Sequence, residues 1–231
     1  MRILAFESSA KAASVALLQD GALLGEYYQN GGQTHSRTLM QMAADLLRNS
    51  DLTVKDVDAV AVAAGPGSFT GVRIGVAAAK GFAWGREIPC YGVSTLEAMA
   101  RTAAHLDGVL CAAMDARRSQ VYNALFEAKD GVLTRLTEDR AISLEELEAD
   151  LKKLEKTKIL VGDGAVLCYN TLRDRVGGLR LMPEALRMQR ASGVALVAAE
   201  LAERGERPSA GELVPNYLRL SQAERERMNR N

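Results

Sequence analysis

Apolar positions along the chain fall into short runs of strand length that alternate with stretches of helical spacing. Three strands open the sequence, and Asp20-Gly21 between the second and third is a strong hairpin signal. Thr34 can cap the helix that follows, after which strands and helices alternate. The predicted strands span 2–6, 13–18, 22–28, 58–64 and 88–93, and the predicted helices span 35–47 and 96–104, with a third ending at Trp84.

The second half of the chain repeats this order of elements. A strand over 109–114 ends in Asp115 as the first strand ends in Glu7, and Asp130-Gly131 gives the matching hairpin turn. Ser143 with Glu146 forms a capping box for a helix. The remaining predicted strands span 121–126, 132–136 and 159–161, and the predicted helices end near 154, 176 and 204, the last of them capped by Ser192.

This duplication predicts an α/β protein of two similar lobes. We expect the first lobe at 1–105, completed by a helix near 192–205, and a smaller second lobe at 106–190. An extension at 206–231 follows, in which 208–220 is expected to be extended and Glu224–Asn231 to be a frayed, charged tail.

Composition removes several classes of function. Lys plus Arg and Asp plus Glu are both 29, so the whole chain has no electrostatic attraction to nucleic acid, and RNA binding would need a local patch such as Arg117-Arg118. The three cysteines lie in apolar runs and are expected to be buried, reduced thiols. The N-terminal apolar run is too short for a secretory signal and no run is long enough to cross a membrane, so we expect a cytoplasmic protein.

A glycine-rich turn, Gly65-Pro66-Gly67, leads into the helix that ends at Trp84, which Ser68 or Thr70 can cap. The free amides of such a turn could bind a phosphate, but its spacing matches neither a P-loop nor a dinucleotide fingerprint. Close helix packing is the commoner use of these glycines.

Glu7 and Asp115 could hold a magnesium–nucleotide pair between the lobes, or each could accept backbone N–H bonds in its own turn. The weak nucleotide-cleft candidates are therefore Glu7, Ser8, Gly65, Gly67 and Asp115.

Two helices of the first lobe carry the features expected of a partner interface. The helix over 35–47 has two adjacent apolar stripes, and the helix ending at Trp84 has a face of small residues. We therefore expect Gly75→Leu to abolish partner binding while the lobe stays folded. His35 is expected to make a surface or interface hydrogen bond. The predicted interface residues are His35, Leu39, Met42, Ala43, Leu46, Phe69, Gly71, Val72, Gly75 and Ala79.

Several motifs together resemble the TsaB (YeaZ) family. They are His35 in the first helix, GPGSFTGVRIG at 65–75, GVSTLEAMA at 92–100, DARRSQVY at 115–122 and PNYLR at 215–219. The resemblance covers essentially the whole chain. It implies two duplicated actin/Hsp70-like (ribonuclease H-like) lobes, each with a mixed five-stranded sheet and flanking helices.

The resemblance also implies a function in making threonylcarbamoyladenosine on tRNA. In the family this subunit is a scaffold or activator that binds a catalytic subunit, TsaD, and an ATPase, TsaE, joins the assembly. By this resemblance the chain has no catalytic residue, no metal and no cofactor beyond weak ATP or ADP at a complex interface. It would form a homodimer when alone and meet tRNA only indirectly.

Two positions depart from the family pattern: Glu7, where Asp is usual, and Gln120, where Glu is frequent. Both weaken a nucleotide-hydrolysis function, yet an ATPase or phosphotransferase of the actin/Hsp70 class, using Glu7, Asp115 and the 65–71 turn, stays the alternative. A metallopeptidase-like hydrolase is disfavoured because His35 and His105 are the only histidines and lie far apart in sequence.

Overall fold

The computed structural model describes residues 1–219, and its first lobe is built on a five-stranded mixed sheet. Strands β1 to β3 form an antiparallel meander, and β4 and β5 pair in parallel beside β1, in the order β3-β2-β1-β4-β5. Asp20 and Gly21 take left-handed φ values of 49° and 82° in the predicted hairpin turn. The elements are β1 (Arg2–Glu7), β2 (Ala13–Gln19), β3 (Ala22–Gln29), α1 (His35–Asn49), β4 (Ala59–Gly65), α2 (Phe69–Trp84), β5 (Cys90–Ser94) and α3 (Thr95–Thr102).

The second lobe has six strands rather than the expected five. The order is β11-β10-β6-β7-β8, and β9 also pairs with β7. The sequence analysis did not predict β9, β11 or α6, which have three or four residues and, unlike the equally short β10, lack a continuous apolar run. The elements are β6 (Gly108–Asp115), β7 (Gln120–Lys129), β8 (Val132–Arg135), β9 (Arg140–Ser143), α4 (Leu144–Lys152), β10 (Lys158–Val161), α5 (Ala165–Leu172), β11 (Leu179–Leu181) and α6 (Glu184–Arg187). The predicted α/β class with two lobes and flanking helices is confirmed.

Helix α7 (Ala191–Glu203) packs on the sheet of the first lobe, where Val194 and Ala198 are fully buried. The predicted cap at Ser192 is wrong, because Ser192 lies inside the helix. Tertiary side chains satisfy the free amides instead: the N–H of Ala191 donates to Ser14 Oγ at 2.7 Å, and the N–H of Ser192 donates to Glu26 Oε1 at 3.0 Å.

Helix α3 joins the lobes. A Cβ on Gly193 of α7 would lie 2.2 Å from the carbonyl oxygen of Ala98, so these two helices touch backbone to backbone. On its other face α3 buries Leu96 and Met99 among strands of the second sheet. Side chains of one short helix therefore enter the cores of both lobes.

Residues 206–219, which we call the strap, return across the first lobe towards the second. The N–H of Cys90 donates to the carbonyl of Pro208 at 2.9 Å, and Leu213 is buried in the first-lobe core. The strap ends where Arg219 Nη1 donates to the carbonyl of Ala116 in the second lobe, at 2.7 Å. The charged tail predicted at Glu224–Asn231 lies outside the described residues. Within 1–219 no helix has the length and apolarity needed to cross a membrane.

Candidate functional site

The turn between β1 and β2 begins with Glu7-Ser8-Ser9 and is buried. Glu7 and Ser9 are 0% exposed. One carboxylate oxygen of Glu7 accepts from the N–H of Ser9 at 2.6 Å, and the other has no hydrogen-bond partner. Burial, helped by the nearby charge of Asp163 and opposed by the hydrogen bonds from Ser9, raises the pKa of Glu7 to about 7. The carboxyl group therefore lies inside the protein.

The glycine face of α2 seals this turn. A Cβ on Gly71 would lie 2.1 Å from the carbonyl oxygen of Ser8, and a Cβ on Gly75 would lie 2.6 Å from Ser8 Oγ. The Ser8 hydroxyl in turn donates to the carbonyl of Gly71 at 2.9 Å. These glycines therefore serve close packing within the lobe. The expectation that the lobe stays folded with Gly75→Leu is therefore not supported. The Cβ alone would crowd Ser8 and lie 3.1 Å from Val62 Cγ2, and leucine adds further atoms there.

The Gly65-Pro66-Gly67 turn is also filled by the chain itself. Gly65 has a φ of +117°, and a Cβ there would lie 2.4 Å from the carbonyl oxygen of Asn216 in the strap. The N–H of Ser68 donates to the carbonyl of Ser9 at 2.6 Å. Ser68, rather than Thr70, caps α2, since its hydroxyl accepts from the N–H of Gly71 at 3.3 Å. A phosphate on this turn would have to displace both Ser9 and Asn216.

The turn between β6 and β7, Asp115 to Ser119, is exposed except for Ala116. Asp115 Oδ1 accepts from the N–H of Arg117 at 2.7 Å. Arg117, Arg118 and Ser119 take left-handed φ values of 61°, 56° and 57°. Residues other than glycine adopt this conformation at an energetic cost. Glu7 and Asp115 therefore occupy opposite environments, and within residues 1–219 no three His, Cys, Asp or Glu side chains form a metal-binding group.

Asp163 interacts electrostatically with both Glu7 and Asp115. Asp163 follows β10. Burial raises its pKa, and the negative charge of Asp115 acts in the same direction. The side-chain amide of Gln189 donates to Asp163 Oδ1 at 2.7 Å. The sequence did not single out Gln189, which has no motif around it. One carboxylate oxygen of Asp163 is therefore already hydrogen-bonded to a side chain of the same protein.

Most of the predicted interface residues are in the core of their own lobe, which corrects that expectation. Leu39, Ala43, Leu46, Val72 and Ala79 are at most 3% exposed, and Gly71 and Gly75 are buried against Ser8. His35, Met42 and Phe69 are half-buried. His35 Nε2 lies 2.7 Å from the carbonyl oxygen of Ala10, so this side chain bonds to its own chain.

The exposed sides of α1 and α2 are a different set of residues, none of which was among the predicted interface residues. Met40 is 46% exposed and Ala44 is also exposed on α1, while Ala77, Gly81 and Trp84, the last 65% exposed, follow one side of α2. A Cβ on Gly81 would meet nothing within 4 Å. Small residues four apart at 77 and 81 were the available signal. We call these five residues the outer helical face.

A cavity of about 330 Å³ lies between β5 and the strap. Its lining includes Tyr91, Gly92, Glu206, Leu213 and Asn216. Glu7 and Asp115 are not among its lining residues, so this cavity is separate from the two carboxylates at the strand ends.

Comparison with known proteins gives consistent matches over the whole chain. A family model described as "TsaD: tRNA N6-adenosine threonylcarbamoyltransferase" matches residues 27–226. The chain is 34% identical to the tRNA threonylcarbamoyladenosine biosynthesis protein TsaB of Bacillus subtilis (strain 168), covering 97% of this chain and 96% of that protein. Identity to the protein of the same name from Escherichia coli (strain K12) is 32%, covering 95% of each.

A solved structure extends this similarity to the fold. It is that of a Pseudomonas aeruginosa protein described as having similarity to peptidase YEAZ. It superimposes with a TM-score of 0.80 at 28% identity, covering 94% of this chain and 99% of that one.

Proposed function

Because the chain belongs to the TsaB family of tRNA threonylcarbamoyladenosine biosynthesis proteins, we propose that it serves this synthesis as a non-catalytic subunit that binds and activates a catalytic TsaD-type subunit. An ATPase of the TsaE type would join the assembly, and the chain would pair with itself when alone. The chain needs no metal or nucleotide of its own in this proposal.

The filled glycine turn is the observation that carries the non-catalytic part of the proposal. A protein that transfers phosphate from a nucleotide needs free amides and accessible carboxylates at the phosphates. Here Asn216 and Ser9 occupy the space beside Gly65 and Gly67, and Glu7 is sealed under α2. These contacts support an accessory function better than the alternative of an ATPase or phosphotransferase.

The outer helical face is the surface we propose for the catalytic subunit. It comprises the exposed Met40 of α1 and the exposed Ala77, Gly81 and Trp84 of α2, and these two helices contact each other. Small residues let a partner helix approach the backbone closely, and a large exposed aromatic such as Trp84 suits the centre of an interface. The interface expected from the sequence thus keeps its two helices and changes its residues.

Reconstitution tests the function directly. ATP turnover is measured with the purified chain alone, then with TsaD, TsaE and substrates, while modified tRNA is scored. We expect no turnover by the chain alone and tRNA modification only in mixtures that contain it. Robust turnover by the chain alone, abolished by Asp115→Ala, would overturn the proposal in favour of the ATPase.

Gly81→Leu tests the docking surface. A Cβ at this position has no neighbour within 4 Å beyond its own helix, so the lobe should stay folded while the leucine side chain pushes away a helix docked on this face. We expect about tenfold weaker binding of TsaD in a titration, typical of a disturbed interface centre. Gly177→Leu is the matched control, since its Cβ position in the second lobe is equally open. Unchanged binding by Gly81→Leu would remove this face from the interface.

A further inference from the structure

Arginine and aromatic side chains of three sequence motifs, which the proposed function does not use, meet on one surface. Arg73 belongs to the glycine-rich motif, Arg117 and Arg118 to the β6–β7 turn, and Tyr217 and Arg219 to the strap. Arg73 Nε donates to the Tyr217 hydroxyl at 2.9 Å, and Arg219 Nη1 donates to the carbonyl of Ala116, the neighbour of Arg117, at 2.7 Å. The strap therefore brings arginines of both lobes together.

Within residues 1–219, no carboxylate forms an ion pair with these arginines. Elsewhere on the protein the arginines at 48, 101, 135, 140, 173, 175 and 190 form ion pairs. None of the arginines at 73, 117, 118 and 219 pairs with an acidic side chain among residues 1–219. The carboxylate nearest in sequence, Asp115, accepts instead from the backbone N–H of Arg117. A chain without net charge thus carries one local positive surface.

An aromatic pair stands at the edge of this surface. The rings of Phe69 and Tyr217 stack with centroids 4.4 Å apart and planes 25° from parallel, and the Arg73 guanidinium lies 4.0 Å from the Phe69 centroid. Tyr217 is 39% exposed. An exposed aromatic ring beside arginines that lack a carboxylate partner is a combination with which proteins bind unpaired nucleotides, because a base stacks on the ring and phosphates meet the guanidinium groups.

We propose that this surface, formed by Phe69, Arg73, Arg117, Arg118, Tyr217 and Arg219, binds a single-stranded segment of tRNA directly. The inference rests on the proposed function, since that function places tRNA in the same assembly. It replaces the expectation that the chain meets tRNA only indirectly. The arginines would contact successive phosphates, and an unstacked base would lie against Tyr217. An acidic protein partner is the competing occupant.

The first test removes the charge of the β6–β7 turn. Binding of a fluorescent, unmodified tRNA transcript is measured by anisotropy over a range of salt concentrations, with the full chain alone and in complex with TsaD. For Arg117→Gln/Arg118→Gln we expect weaker binding and a salt slope smaller by about 1.4, or about 0.7 for each lost phosphate contact. Arg173→Gln/Arg180→Gln removes two exposed arginines at the end of α5 and in the edge strand β11, and should leave the slope unchanged.

The second test separates stacking from charge. Tyr217→Ala should weaken tRNA binding about tenfold, as expected for one lost stacked base, whereas Tyr217→Phe keeps the ring and should bind almost like the wild type. A fully paired RNA duplex should not distinguish the two variants. Unchanged tRNA binding by the double arginine variant and by Tyr217→Ala would overturn the inference.

Complex formation distinguishes this result from failure of the proposed function. If the arginine variants lose TsaD in size-exclusion chromatography while tRNA binding is unchanged, the surface contacts protein and the inference is wrong. If wild-type protein binds TsaD and supports modification, but no variant affects tRNA binding, the scaffold function stands and the RNA surface does not.

Discussion

The turns that follow β1 and β6 occupy equivalent places in the two lobes and have opposite surroundings. The β1–β2 turn starts with a carboxylate that is 0% exposed, whereas the β6–β7 turn starts with an exposed one. The difference lies in where each lobe places its glycines. Gly71 and Gly75 let α2 pack directly against Ser8 in the first lobe. In the second lobe, Gly162 and Gly164 pack against the backbone of β6 at Ala113 and Met114, and the turn that follows β6 is left largely exposed.

This difference shows how a duplicated fold can divide its tasks. The sealed turn contributes packing and cannot offer a carboxylate to a ligand. The open turn is free to present Arg117 and Arg118 to a partner. Predictions that alter each turn separately therefore test whether one is structural and the other available for recognition.

Gly71→Ala should have the largest effect. The added Cβ would lie 2.1 Å from a backbone carbonyl oxygen that cannot move without shifting β1, so we expect a loss of about 3 kcal/mol or more in unfolding free energy. Chemical denaturation measures it. Gly81→Ala, on the open side of the same helix, should instead stabilise by up to about 1 kcal/mol. Equal stability of the two variants would show that the first turn is not sealed by the glycine face.

Glu7→Gln should have the next largest effect, and one that depends on pH. The pKa of Glu7 rises from 4.5 to about 7 on folding, so the folded state binds more protons than the unfolded chain between these values. Wild-type stability therefore falls as pH rises through this window, by about 3 kcal/mol in total. Glutamine does not titrate, so the stability of the variant relative to wild type should increase by that amount.

Comparing denaturation at pH 4.5 and at about pH 8 isolates this titration, because any fixed cost of the buried amide cancels in the difference. Asp115→Asn is the control at the exposed turn and should change stability by less than about 0.5 kcal/mol at either pH. A pH-independent difference between Glu7→Gln and wild type would contradict the burial of this carboxyl group.

Local signals in the sequence were sufficient for most of the fold. Asp20-Gly21 and Asp130-Gly131 fixed both hairpins, and Ser143 with Glu146 forms the predicted capping box. These features depend on neighbours in the chain, and so they can be predicted from it.

The candidate site depended on contacts that sequence spacing cannot reveal. Ser192 resembled a cap, but Ser14 and Glu26 bind the amides of that helix from another part of the chain. The small-residue face of α2 was identified, but periodicity does not say whether Ser8 or a partner covers it. The same limit placed Leu39 and Ala43 on an interface when they belong to the core.

The smallest expected effect concerns Ser119, the last of three left-handed residues in the open turn. A side chain at its φ of 57° crowds the carbonyl group, which costs about 1–2 kcal/mol, whereas glycine avoids this cost but loses more chain entropy on folding. Ser119→Gly should therefore stabilise the protein by about 0.5 kcal/mol, a rise of roughly 1–2 °C in melting temperature for a chain of this size. Ser119→Ala keeps the Cβ and should give no increase. If glycine and alanine give the same melting temperature, the turn is relaxed, and its exposure rather than strain sets it apart from the sealed turn of the first lobe.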